Sequence, residues 1–338
     1  MSTVTDILNE VSAQIDADPE ALAEARNRLR IALDVAASYN GQLRTYRSGS
    51  LAAHTMIDPV SDGDGGLILD RRSHPNLGPE GKGETPTEIV ESLRAYMGPV
   101  IRKTYPKAWV TTSKRGPMVY FGCPINDQNP TVDIVVALTR KNDPGLWIPN
   151  LKTGKWDPSH PQHHVDLLNS GTTSYKRIRR QVIRLAKAWN NQFDRPGVSS
   201  FLLSVWALEF IEPGMGVAAG LHALFDGAAT RLEANLATPD PAEVSQDLEL
   251  ELPRKQVLSR MRSAAEALQE AISNKSDPAT VRDALARMYW KYVSSPQQTA
   301  LANSAAALSA RKPITTDTLG LKAKPVIIPP TRSYGGEL

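Results

Sequence analysis

Cysteine is almost absent from the chain, with Cys123 the only one among 338 residues. No internal disulfide can form, and the expected setting is a reducing compartment. Long apolar runs are missing as well: no stretch approaches the ~20 residues that a membrane-spanning helix needs. The first residues, MSTVTDILNEVSAQIDADPE, are acidic and amphipathic, with no basic segment ahead of an apolar one. They do not read as a secretory leader. The expectation is a cytoplasmic protein with no membrane partner. An excess of one charge is also missing, since the formal net charge is only +3. That is too little to mark a constitutive nucleic-acid binder, so basic stripes have to be weighed where they occur.

What is present is the composition of a folded globular chain, 41% hydrophobic and 22% charged. Wholesale disorder is excluded. The length suits one large or two ordinary domains. Asp18-Pro19 reads as a cap and first residue of a helix over PEALAEARNRLRIALDVAASYNG, with Gly41 as its stop. A short helix follows Ser50 and breaks near Asp58-Pro59, after which DGDGGLIL reads as a strand. GPEGKGETPT is a loop, TEIVESLRAYMGPVIRKTYP is helical, and AWVTTSK, PMVYFG and TVDIVVAL are strands. From YKRIRRQVIRLAKAWNNQF onward the pattern is helical, and a proline-bearing tail follows Lys312. No repeat of fixed period is visible.

Asp62 and Asp64 stand one residue apart among glycines, directly before an apolar run. A calcium loop counted from Asp58 fails, because Val60 and Leu69 occupy ligand positions. An acidic turn is the plain alternative. On a strand, however, residues two apart point to one face, so the two carboxylates would project together, repel each other and invite a divalent cation. Asp133, inside the apolar run TVDIVVAL, supplies a third acid unless it sits at an exposed strand end. Gly49-Ser50 lies upstream, where a glycine admits a phosphate to the backbone and a serine adds a hydroxyl. The later GPEGKGET is not a P-loop, because Gly81-Lys82 is followed by glycine rather than Ser or Thr.

In the second half, Lys176, Arg180, Arg184 and Lys187 fall within ~80° on a wheel of about 100° per residue. Ile178, Val182, Leu185 and Trp189 form the opposing apolar face. Such a stripe is either a solvated helix side or a polyanion site facing the carboxylates. His160, His163 and His164 make a weak zinc set with Cys123 so remote. His54 reads as a packing or surface residue, and Trp147 and Trp156 as anchors of the linker between the halves.

Taken together, Gly49-Ser50, Thr55, Asp62-x-Asp64 and a later-strand Asp133 resemble the polymerase-β-type nucleotidyltransferases. Within them the chain is similar to the branch holding cyclic GMP–AMP synthase, oligoadenylate synthase and the bacterial CD-NTases. WIPNLKTGKWDPSHPQHH resembles the linker after the third aspartate, VIRLAKAW the lysine helix, and VSSFLL the serine-aromatic helix. The resemblance implies an α+β fold, with a mixed-sheet nucleotidyltransferase core packed against an α-helical oligoadenylate-synthase-like domain. The expected division is a core over 1–165, a helical domain over 166–312 and an extended or mobile tail over 313–338. It further implies that Asp62, Asp64 and Asp133 hold two Mg²⁺ (or Mn²⁺) ions and carry catalysis. Gly49 and Ser50 would hold donor phosphate, Lys187 and Ser200 would contact phosphate, and Phe201 would stack on a base. Two departures stand out: Phe201 replaces the usual tyrosine, and Gly63 and Gly65 flank the second acid where larger strand formers are expected, which would loosen the metal site or admit backbone close to a ligand.

The implied activity joins nucleoside triphosphates, releases pyrophosphate and makes a cyclic di- or trinucleotide. The product would be a second messenger of bacterial anti-phage (CBASS) signalling, read by a separate effector. The tail, ending Gly335-Gly336-Glu337-Leu338, would allow conjugation or a regulatory partner. Nucleic acid is not required. Alternatives are nucleotide transfer to RNA, a protein or a small molecule, and a catalytically silent nucleotide- or nucleic-acid-binding module. Base identity, linkage, ring size and any need for an activator are not legible in the residues.

Overall fold

The structure, a computed structural model, describes residues 3–295 together with Leu301 and Ala305. The tail expected over 313–338 lies outside the described residues.

Two strands, β2 (Asp62–Leu69), which ends in Leu-Ile-Leu, and the Val-rich β5 (Thr131–Thr139), run parallel through the middle of the sheet. β1 (Gln42–Ser48) closes one edge against β2, while β4 (Pro117–Tyr120) and β3 (Trp109–Thr112) extend from the start of β5. The end of β5 pairs instead with β6 (Leu146–Asn150), which forms a hairpin with β7 (Lys155–Ser159). Thus the stretch expected as a linker is itself sheet. Trp156 is buried in it, and Trp147 lies under the Arg140 guanidinium, 5.0 Å from the ring centroid.

Alternation sorts the two central strands. Leu67, Leu69, Val132, Ile134, Val136 and Leu138 are buried against α2 (Pro19–Ala36) and α4 (Pro86–Arg102). The intervening residues, among them Asp62, Asp64 and Asp133, therefore belong to the other face. α2 begins as its sequence predicts, with the Asp18 carboxylate accepting from the Ala21 N–H. Its buried Arg28 donates to Asn129 Oδ1 and Pro130 O, both at 2.8 Å, and to the Cys123 carbonyl. That residue ties the connection ahead of β5 to the helix, and so sets where Asp133 emerges.

The second lobe is helical: α5 (Pro161–Leu168), α6 (Thr173–Asn191), α7 (Ser200–Phe210), α8 (Val217–Glu233), α9 (Arg254–Ser273) and α10 (Pro278–Met288). The N-terminal helix α1 (Val4–Gln14) packs here and not on the sheet. Its Val4, Ile7, Leu8 and Val11 share one core with Val182, Leu185, Phe225 and Leu285. A buried arginine serves this lobe too, since Arg179 Nη2 donates to the carbonyls of Leu167, Leu168 and Ser170. These carbonyls lie at and just beyond the end of α5, where the helix leaves carbonyls short of donors, and the guanidinium gathers all three.

Candidate active site

β2 delivers Asp62 and Asp64 to one face, and the parallel register sets Asp64 directly beside Asp133 on β5. On the other side, antiparallel pairing sets Ser48 opposite Asp64, where β1 gives way to the short helix α3 (Gly49–Ala53). The backbone turns there at Gly49, with φ +65°. A Cβ at this glycine would lie 1.8 Å from Asp64 Oδ2, so no other residue leaves room for the carboxylate. The Ser50 hydroxyl has only a weak bond, 3.5 Å to the Met56 sulfur.

A cavity of about 630 Å³ opens between the lobes. It is lined from the sheet side by Gly49, Ser50, Thr55, Asp62 and Asp64, and from the helical side by Lys187, Ser200 and Phe201. Seven of the eight predicted site residues therefore face one space. Asp133 is not part of its wall; it stands one strand over from Asp64 and accepts from Ser113 Oγ at 3.0 Å.

The acids carry the electrostatic cost of this arrangement. Burial, followed by the charges of Asp62 and Asp133, pushes Asp64 up to about 7, with Lys187 partly opposing. Its carboxylate takes no hydrogen bond from any described residue. Burial and the Asp62 charge likewise raise Asp133 to about 6, against the Ser113 hydrogen bond. Among the described residues, no three His, Cys, Asp or Glu side chains stand as a ready-made metal cage. The donor set is nonetheless hard oxygen only, repelled from within and short of donors. It suits a divalent ion that completes its shell with water and phosphate oxygens, the habit of Mg²⁺.

Of the basic stripe on α6, only Lys187 lines the cavity. It is 6% exposed and donates to Thr55 O at 3.0 Å and Thr55 Oγ1 at 3.3 Å. Burial lowers its pKa to about 8, although Asp62 and Asp64 act to raise it. Two of the other stripe cations are partnered elsewhere: Arg180 donates to Asn169 Oδ1, and Arg184 pairs with Asp16 near α1. An 80° arc is wide enough for packing to divide it. The expectation for the glycines flanking the second acid is corrected. Gly63 meets Leu29 and Leu51, and Gly65 meets Leu33, Leu29 and the Tyr46 carbonyl, with a Cβ at Gly65 falling 2.8 Å from that oxygen. They admit the helix α2 to the back of the sheet, not a ligand to the front.

α7 starts at Ser200 because Ser199 caps it, its hydroxyl accepting from the Leu202 N–H at 3.1 Å. The preceding loop is pinned to α6 by Asn190, which accepts from the Gly197 N–H and donates to Val198 O. Beside Phe201, with ring centroids 4.8 Å apart, lies His164. Its Nε2 is 2.6 Å from Asp240 Oδ1. Burial would raise Asp240, but the backbone N–H groups of Ser245 and Ala242, then His164, hold it near about 2. His164 and Ser245 both line the cavity and were not singled out for it from the sequence. Only tertiary packing joins residues 76 positions apart. The three histidines do not converge, since His160 stacks on His163 while His164 turns to Asp240.

No family model matches the chain, and no curated protein does. Solved structures match over most of its length. The CD-NTase CdnG of Bradyrhizobium diazoefficiens, in complex with GTP, superposes with a TM-score of 0.65 at 16% identity, over 85% of this chain and 96% of that one. CdnC of E. coli MS115-1, with ATP, gives 0.65 at 16% identity, over 87% and 99%. The cyclic AMP-GMP synthase DncV of Vibrio cholerae gives 0.55 at 14% identity, over 78% and 72%. With its mixed sheet, its helical lobe and the cleft between them, this chain has the fold of the bacterial CD-NTases.

Proposed function

We propose that the protein is a metal-dependent nucleotidyltransferase that links nucleoside triphosphates into a cyclic di- or trinucleotide. The observation that carries this reading is the facing of two unlike sets across one cavity. Mutually repelling carboxylates stand on the sheet, and a buried lysine, a helix-start serine and an aromatic ring stand opposite. A triphosphate with its cations satisfies both sets, whereas a plain polyanion would be repelled by the acids.

In this reading Asp62, Asp64 and Asp133 hold Mg²⁺ or Mn²⁺, which when bound neutralises triphosphate charge and makes the acceptor hydroxyl more acidic. Gly49 lets the donor phosphates approach the backbone, and Ser50 and Ser200 offer hydroxyl donors. Lys187 stabilises the charge that builds on the departing pyrophosphate, and Phe201 stacks on a base. The hydroxyl oxygen of one nucleotide bonds to the α-phosphorus of the next as the bond to the β-phosphate oxygen breaks. Pyrophosphate leaves, and Asp133 takes the hydroxyl proton. Rate enhancement comes mainly from positioning and preorganised charge. A last, intramolecular transfer closes the ring and releases its own pyrophosphate. The product would act as a second messenger in anti-phage defence through a separate effector, as the likeness to CD-NTases suggests.

The test incubates purified protein with four labelled nucleoside triphosphates and Mg²⁺ or Mn²⁺, then phosphatase, then separation by mass. A phosphatase-resistant product, absent from Asp62→Asn/Asp64→Asn, is expected. A linear product or an adduct on an added acceptor would replace cyclisation with transfer to another substrate. Activity or nucleotide binding unchanged in the double variant would remove the catalytic reading altogether.

A further inference from the structure

The helical lobe contains a second cavity, of about 410 Å³, where the end of α6, the start of α9 and the residues after α10 come together. It is distinct from the central one, with which it shares no lining residue. Three cations, Arg195, Arg260 and Lys291, border it against the single acid Asp194. None of the three forms an ion pair among the described residues, and Arg260 makes one hydrogen bond, from Nη1 to Arg195 O at 2.8 Å. Its guanidinium lies over Phe193, 4.0 Å from the ring centroid, where burial lowers its pKa.

The wall next to these charges is aromatic. Trp290 meets Phe193 edge to face, with centroids 4.8 Å apart, and remains 46% exposed. Trp290 thus presents open indole surface beside three cations that have no carboxylate partner among the described residues. The floor adds a third feature. Gln192 is 2% exposed, its Nε2 donates to Met288 O at 2.6 Å, and its Oε1 is buried with no donor. Buried acceptors of this kind are rare, because lost hydration is not replaced.

We propose that this outer pocket binds a nucleotide, with the base on the Trp290 indole and the phosphates on Arg195, Arg260 and Lys291. A base carries a flat π face, which answers the indole. The phosphates answer the uncompensated cations. Inorganic phosphate would leave the indole bare, and an apolar ligand would leave the charges unpaired. The volume falls within the range of small-ligand pockets.

The experiment is equilibrium dialysis of the full chain, in Mg²⁺, with ATP and GTP analogues carrying a methylene between the α- and β-phosphates. These analogues cannot release pyrophosphate, so bound equivalents can be counted. Wild type is expected to bind three, a donor and an acceptor in the cleft and one in the outer pocket. Trp290→Ala and Arg260→Gln should each weaken a single equivalent by about tenfold or more, with circular dichroism checking the fold. Phe201→Ala should weaken binding in the cleft and spare the equivalent that Trp290→Ala removes. Binding that neither Trp290→Ala nor Arg260→Gln weakens would overturn the outer site while sparing the catalytic reading. A single equivalent that Trp290→Ala removes and Phe201→Ala does not would keep the outer site and sink the catalytic cleft as a nucleotide site. No binding at all by the full chain would overturn the outer site too.

Discussion

The sheet lobe and the helical lobe both bring charges into the central cleft, and burial works against each of them in opposite directions. On the sheet, Asp64 and Asp133 are pushed up to about 7 and about 6, toward the neutral acid. On the helices, Lys187 is pushed down to about 8, toward the neutral amine. The two sets do not cancel by direct pairing: Lys187 spends its hydrogen bonds on Thr55, and Asp64 has none. Groups held near neutrality without pairing are arranged for a third party. A cation–polyphosphate complex meets both needs at once, with cations for the acids and phosphate oxygens for the ammonium group.

The sharpest way to break this comparison is to remove one side's chemistry. Asp133→Asn keeps the shape and the Ser113 contact but deletes the charge on β5. Turnover is expected to fall by about 10²–10³-fold or more, read as product formed per enzyme at saturating nucleotide. An effect under tenfold would detach Asp133 from the reacting atoms.

Next in size is a contrast of the two buried arginines that hold the lobes in shape. Arg28→Ala strips a guanidinium from Glu24, Asn129 and two carbonyls, leaving buried partners unpaired. A loss of about 3–5 kcal/mol is expected, as for other broken buried ion pairs. Arg179→Ala exposes only neutral carbonyls and should cost less, about 1–3 kcal/mol. Urea denaturation of both variants checks the order, and equal losses would contradict it.

A subtler contrast is the sign of the pH dependence. Asp64 has a folded-state pKa raised from 3.8 to about 7. Its ionisation therefore costs stability that is lost progressively as pH rises across that window, and fully above it. Lys187 has a folded-state pKa lowered from 10.5 to about 8. Its cost is fully present below about 8 and fades as pH rises toward 10.5. In metal-free buffer, Asp64→Asn should gain on wild type by about 1–3 kcal/mol as pH rises from 4 to 7.5. Lys187→Met should hold its advantage at pH 7 and lose it toward pH 10.5. Thermal melts across pH measure both, and parallel slopes would refute the contrast.

The smallest expected effect concerns the ring at position 201. Phe201→Tyr restores a hydroxyl without altering the π face, so nucleotide KM should change by less than about threefold. Phe201→Ala removes the face and should raise KM by about 10- to 100-fold. Similar KM values for the two variants would mean the ring packs against His164 and does not stack on substrate.

Much of the sheet half was legible because its signals are local. The spacing of Asp62 and Asp64 decides that they share a face, and the apolar run around Asp133 decides that it rides a buried strand. β1 was missed because QLRTYRS is polar and sits at an edge, where pairing with β2 supplies what its composition does not. The hairpin of β6 and β7 stands where the family resemblance implies a linker, and its prolines and glycine hide the alternation of a strand. α1 shows the same limit. Its amphipathic pattern is plain, but nothing in the pattern says which lobe it joins, and burial of Ile7 and Leu8 among α6, α8 and α10 decides it.

The amino-acid sequence by itself determined the α+β character of the chain, the shared face of the acids and the capped start of the helix that carries Ser200 and Phe201. Each follows from periodicity or from a side chain bonding the backbone a few residues away. Only the tertiary structure decided which stripe cation enters the cleft, that Gly63 and Gly65 face a helix, and that His164 meets Asp240 beside Phe201. Those outcomes depend on which surfaces pack together. A helical period spreads candidates over an arc, and only the neighbour across the gap selects among them.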